Sequence, residues 1–136
     1  MINKEQKNNL IATAEGMLDK AYVPYSKFQV GAALMTEEGK IFGGCNIENA
    51  SYGLTNCAER TAIFSAIAKG HTDFKYLVIT GNTDGPISPC GACRQVIAEF
   101  CKDDMPVLLT NTNRDEFETT VSELLPGYFK SGDMEK

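Results

Sequence analysis

Two cysteine groups, Cys57-Ala58-Glu59 and Pro89-Cys90-Gly91-Ala92-Cys93, each stand at the head of a stretch with helical patterning. Helix N-termini carry unpaired N–H groups and partial positive charge, which lower thiol pKa values and favour thiolates. Two thiolates at C-x-x-C spacing fall on one side of a helical turn, so they can chelate one ion together. A fold that converges the two helix starts adds the third thiolate. The chain therefore calls for a scaffold that aims two helix N-termini at one point, and helices laid on a sheet provide one.

The pattern along the chain fits that scaffold. Residues 3–21 read as an amphipathic helix, capped by Asn3 with Gln6 three positions on, and Val23-Pro24 ends it. Residues 27–36 alternate and predict a strand, Glu37-Glu38-Gly39 a turn, and residues 40–46 the antiparallel return. A polar loop over 47–56 leads to a buried helix over 57–69, with Gly70 just past its end. A short strand over 76–80, a loop to Pro89 and a helix over 91–101 follow. Strands over 106–110 and 116–120 then pair around a tight turn. Residues 122–125 make at most one helical turn, and Pro126-Gly127 opens a tail that ends polar. The expectation is one α/β domain over residues 1–136, with helices covering a mixed sheet.

Composition narrows the class. With 18 acidic and 13 basic side chains the net charge is −5, which argues against a module that tracks a phosphate backbone. No apolar run approaches the ~20 residues of a membrane span, and residues 1–9 are polar rather than signal-like, so a cytoplasmic location is expected. Five cysteines, an odd number, do not suggest a disulfide framework in such a compartment.

Cys57, Cys90 and Cys93 as ligands of one zinc ion leave its fourth position open, as in a catalytic site. Glu59 lies too far around its helix to be an obvious fourth ligand, but within reach of a water in that position. Such a carboxylate can take the water's proton and later return it. A redox pair would leave Cys57-Ala58-Glu59 unexplained, and a structural site normally takes four protein ligands. Only three basic residues are arginine, and two of them, Arg60 and Arg94, stand beside these cysteines. Three thiolates leave the metal site negative, and a guanidinium donating to sulfur offsets that charge. Arg60, one turn after Cys57, is the candidate.

The segments Tyr25-Ser26-Lys27-Phe28-Gln29-Val30-Gly31-Ala32-Ala33, Gly44-Cys45-Asn46-Ile47-Glu48-Asn49-Ala50-Ser51-Tyr52, Cys57-Ala58-Glu59-Arg60 and Ser88-Pro89-Cys90-Gly91-Ala92-Cys93-Arg94-Gln95 together resemble the cytidine deaminases, in particular their small homotetrameric kind. The resemblance runs from about residue 21 to residue 129. It implies a three-layer α/β/α fold with a five-stranded mixed sheet. It also implies zinc-dependent hydrolysis of cytidine or deoxycytidine to uridine or deoxyuridine with release of ammonia, a step of pyrimidine salvage. Cys57, Cys90 and Cys93 match the metal ligands, one zinc per chain, and Glu59 the proton shuttle. Asn46 and Glu48 match the pair that hydrogen-bonds the ribose, and Phe28 the aromatic beside the nucleoside. The backbones at Ala58 and Ser88 match groups that hold the pyrimidine. Tyr52 and Phe129 match residues that complete a neighbouring subunit's pocket in a homotetramer. An alternative within the same zinc signature is deamination of a related aminopyrimidine nucleoside such as blasticidin S, against which the Asn46-Ile47-Glu48-Asn49 segment speaks.

Pattern alone reads several of these residues differently. Phe28 alternates with core positions, so by pattern it is packing. Asn46 and Glu48 follow a strand, where polar residues are usually solvated. The aromatics of 124–129 would pack on the chain's own core. His71 follows a helix-ending glycine and reads as a surface residue. Cys101 sits on an apolar stretch as a small core residue. Cys45 fits either the core or the edge of the site.

Overall fold

The computed structural model describes residues 2–129; the polar end of the tail lies outside them. Helix α1 spans Lys4–Met17. The Gln6 N–H donates to the Asn3 side chain at 2.8 Å and the Asn3 N–H donates back to the Gln6 side chain at 3.0 Å, closing the expected capping box. The helix ends short of residue 21 because Leu18–Lys20 tighten into a 3₁₀ turn and Ala21 leaves extended.

Strand β1 covers Val30–Thr36 rather than starting at residue 27. Lys27 takes a left-handed φ of 61°, and the Tyr25 and Ser26 N–H groups donate to the Glu48 carboxylate at 3.0 and 3.1 Å. The segment before β1 is thereby turned out of the ladder, and Phe28 stands on a loop. Strand β2 is Ile41–Cys45, and Gly39 (φ 94°) makes the hairpin turn between the two. Helix α2, Ala58–Ala68, follows Cys57 as its N-cap, and Gly70 (φ 92°) lies just beyond it. Strand β3, Phe74–Gly81, extends past both ends of the expected 76–80. Helix α3 is Gly91–Phe100, strand β4 Pro106–Thr110, strand β5 Glu116–Thr120, and helix α4 the single turn Val121–Leu124.

The five strands form one mixed sheet in the order β2-β1-β3-β4-β5. Only the β3–β4 pair is parallel, and α3 is its crossover. One face packs Ala33, Met35, Tyr76, Val78 and Leu108 against Leu10, Ile11 and Ala14 of α1. The other packs Leu34, Leu77, Ile79, Val107 and Leu109 against α2, α3 and α4. Each fully buried Leu or Ile there contributes roughly 1.5–3 kcal/mol relative to exposure. The result is the expected three-layer α/β/α sandwich.

Two glycines set how closely the helices approach. A Cβ on Gly31 would lie 2.0 Å from the Ala14 carbonyl oxygen, so only glycine lets α1 close on β1. A Cβ on Gly44 would lie 2.4 Å from both the Ala58 oxygen and the Ala62 nitrogen. Gly44 thus seats the first turn of α2 directly on β2, and this is the turn that carries Glu59. Cys45 pairs with Gly31 across the β1–β2 ladder and is buried on the α1 face, away from the cysteines of α2 and α3. Cys101 is buried as expected, its thiol pushed up to about 12 by desolvation. His71 departs from the surface reading: it is half-buried, with its ring 5.2 Å from that of Phe42.

Candidate active site

The site lies where β3 and β4 end, at the edge from which the parallel strands of open sheets usually present their ligands. Its register starts in a small ladder outside the main sheet. Ile47 bridges Tyr22 on one side and Asn56 on the other, and Ile47 and Asn56 exchange N–H···O bonds at 2.8 and 2.9 Å. Asn56 is thereby fixed, and Cys57 follows it into the N-cap of α2.

Cys90 is the N-cap of α3, and its sulfur accepts from the Cys93 N–H at 3.5 Å. The sulfurs of Cys57, Cys90 and Cys93 all lie within 4.8 Å of one another, Cys57–Cys90 at 3.9 Å and Cys90–Cys93 at 3.2 Å. With zinc–sulfur bonds of about 2.3 Å, tetrahedral sulfurs sit roughly 3.8 Å apart. The Cys57–Cys90 and Cys90–Cys93 spacings bracket that value, so the three thiols can hold one zinc ion. Among the described residues this is the one group of three or more cysteine, histidine or acidic side chains with ligand atoms this close.

Charge in the cluster is already uneven. The Cys57 thiol is held below the ordinary thiol range, first by the Cys93 sulfhydryl facing it and then by the Arg60 guanidinium. The same contact with Cys57, together with burial, pushes the Cys93 thiol up. Arg60 Nη2 donates to the Cys57 sulfur at 3.1 Å and to the Thr55 carbonyl at 3.4 Å. Its Nε is buried with no hydrogen-bond partner among the described residues. Glu59 is only 3% exposed, and burial raises its carboxyl above the usual range. Its electrostatic neighbours are Cys57, Cys93 and Arg60, so the carboxyl borders the sulfur cluster. Ala58, between Cys57 and Glu59, is fully buried.

The remaining predicted residues surround this centre in two groups. Asn46 donates from Nδ2 to the Phe28 carbonyl at 2.7 Å and accepts the Val30 N–H on Oδ1 at 3.0 Å. Glu48 takes the backbone N–H groups of Tyr25 and Ser26 and the Ser26 hydroxyl, whose hydrogen bond holds its carboxyl below the usual range. Both are therefore structured by one loop rather than merely solvated, and Phe28 is carried on it. Phe28 Cζ would lie 3.6 Å from a Cβ on Gly81, which sets its ring at the end of β3. Ser88 is exposed, and its hydroxyl accepts from Arg94 at 2.5 Å. Tyr52 and Phe129 are 74% and 57% exposed, so neither packs in the chain's own core. Arg94 donates to the Pro89 and Leu124 carbonyls and to the Ser88 hydroxyl.

Asn111 escaped the sequence reading. Fully buried after β4, it donates to the Thr83 and Asp84 carbonyls and to Asp115, and accepts from the N–H groups of Asn113 and Asp115. It anchors the loop that leads to Ser88 and Cys90. The closely spaced Asn111, Asn113 and Asp115 mark the turn, but the loop it grips lies 27 residues earlier in the chain.

Comparison with known proteins gives concordant results. Residues 4–109 match the family model described as cytidine and deoxycytidylate deaminase zinc-binding region. The chain is 59% identical to the cytidine deaminase of Sporosarcina psychrophila, over 92% of each chain. It is 55% identical to that of Halalkalibacterium halodurans, over 92% of this chain and 95% of the relative. The crystal structure of cytidine deaminase from Burkholderia pseudomallei superposes with a TM-score of 0.88 at 54% identity, covering 90% of this chain and 98% of the other.

Proposed function

The chain belongs to the cytidine deaminase family of zinc-binding hydrolases, and from that membership we propose that it deaminates cytidine and deoxycytidine to uridine and deoxyuridine, releasing ammonia. The observation that carries the reading is the cluster of three cysteine sulfurs at two helix N-termini, bordered by the buried carboxyl of Glu59. Cys57, Cys90 and Cys93 would hold one zinc ion per chain, and the bound ion would supply the Lewis acidity that makes water a nucleophile near neutral pH.

Glu59 moves the protons. Its carboxylate takes one from the attacking water and delivers it to N3 of the cytosine ring. It then takes the second proton, from the hydroxyl now on C4, and gives it to the amine, which leaves as ammonia as the C4 carbonyl forms. The backbones at Ala58 and Ser88 hold the pyrimidine, and the Phe28 ring lies beside it. Asn46 and Glu48 bind the ribose. Each keeps hydrogen-bonding capacity for it: Asn46 a second N–H and a second lone pair, Glu48 further lone pairs on its carboxylate. Arg60 draws negative charge from the Cys57 thiolate.

The active unit is a homotetramer of single-domain chains, located in the cytoplasm. Tyr52 and Phe129 each complete a neighbour's pocket, a role their exposure supports. No helix among the described residues is long and apolar enough to cross a membrane.

Initial rates on cytidine, deoxycytidine, cytosine and blasticidin S test this reading. Turnover of the two nucleosides far above the free base and the antibiotic is expected. Preference for blasticidin S would transfer the assignment to that substrate.

A further inference from the structure

Arg94 sits in the first turn of α3, one residue after Cys93, where a helical side chain leans back toward the N-terminus. Its guanidinium is shared among three acceptors on two other segments. Nε donates to the Pro89 carbonyl at 2.9 Å, Nη2 to the Ser88 hydroxyl at 2.5 Å, and Nη1 to the Leu124 carbonyl at 2.6 Å. Leu124 is the last residue of α4, a helix too short to satisfy its own final carbonyls. The next residue of α3 adds a second tie: Gln95 Nε2 donates to the Phe129 carbonyl at 3.0 Å. One helical turn thus grips both the segment before the zinc cysteines and the C-terminal segment.

We propose that Arg94 is a positioning residue: it sets the Ser88 backbone that faces the pyrimidine and, with Gln95, the C-terminal segment that carries Phe129. The inference rests on the functional reading above, which gives Ser88 and Phe129 their roles. The planar fork of guanidinium N–H groups is what the role requires. A lysine ammonium is a point charge at the end of a flexible stem and does not span the Ser88, Pro89 and Leu124 acceptors together. Arg94 therefore acts through shape, whereas Arg60 acts through charge on sulfur.

The test compares the zinc-loaded full chain with Arg94→Ala, Arg94→Lys and Ser88→Ala. It reads steady-state kinetics on cytidine, calorimetric affinity for uridine, and zinc content. Both Arg94 variants should raise KM and weaken uridine binding by roughly tenfold to a hundredfold, the scale of a charge-assisted hydrogen bond, with zinc still at one per chain. Added methylguanidine should restore part of the loss in Arg94→Ala. Ser88→Ala keeps the backbone and removes one acceptor, so it should shift KM the same way by less. Wild-type KM and uridine affinity in Arg94→Lys would overturn the proposal, and so would an affinity loss that merely follows loss of zinc. If the Arg94 variants do not fold, an unchanged KM in Ser88→Ala overturns it. A wild-type chain inactive on cytidine would instead count against the functional reading, while leaving the Arg94 geometry in place.

Discussion

The Arg60 guanidinium donates to the Cys57 sulfur at 3.1 Å, from three residues further along the same helix. The first turn of α2 would thus supply both a ligand for a bound metal and a cation that offsets its charge. Helix geometry makes the pair possible, because side chains three apart share a face.

Arg60→Gln is expected to lower turnover by roughly tenfold to a hundredfold, the usual cost of losing a partner behind a metal ligand. Zinc content should fall less, because all three thiols remain. Cys57→Ala, by contrast, should lose metal and activity together. Metal analysis alongside kcat separates the two cases. An unchanged kcat and pH–rate profile in Arg60→Gln would make the contact structural only.

Gly44→Ala tests how the fold aims the site. The new methyl would meet backbone atoms of α2 at 2.4 Å, and backbone cannot step aside like the tip of a side chain. Overpacking of this kind costs about 1–3 kcal/mol, so the urea midpoint should fall. Activity measured well below that midpoint should fall as well, because the displaced turn carries Glu59. A variant with wild-type stability and activity would show that α2 does not depend on this contact.

Much of this architecture is legible in local sequence, because its causes are local. The capping box of Asn3 and Gln6 needs only a four-residue window, and so does the spacing of Cys90 and Cys93 on α3. The convergence of Cys57 on that pair is also readable, since two cysteine-headed helices in a small α/β layer fold have few other uses. What escaped is set by partners far away in the chain. The alternation around Phe28 predicts a strand, yet Glu48, some 22 residues later, takes the N–H groups of Tyr25 and Ser26 and turns the segment out. Arg94 stands beside the cysteines in sequence, but one of its acceptors is 30 residues downstream. Cys45 could be placed on a face only once its pairing with Gly31 was known.

The exposure of Phe129 leads to a test of pocket sharing. Glu59→Ala and Phe129→Ala are made separately, each weakly active, then unfolded together and refolded as mixed assemblies. If Phe129 serves a neighbour, some sites combine an intact Glu59 from one chain with an intact Phe129 from another, and activity rises. Sedimentation of each variant establishes beforehand that it assembles. A mixture proven to be mixed that stays as weak as its parts would confine Phe129 to its own chain.

The most direct measurement of the central claim is the rate of uridine and ammonia formation from cytidine by Glu59→Gln, with zinc content and uridine affinity determined on the same sample. An amide in place of the buried carboxyl keeps its shape but cannot accept and return a proton. The account predicts wild-type zinc, near-wild-type affinity for uridine, and turnover lowered by at least ~10²–10⁴-fold. Near-normal turnover with zinc in place would contradict it, because another group would then be carrying the proton.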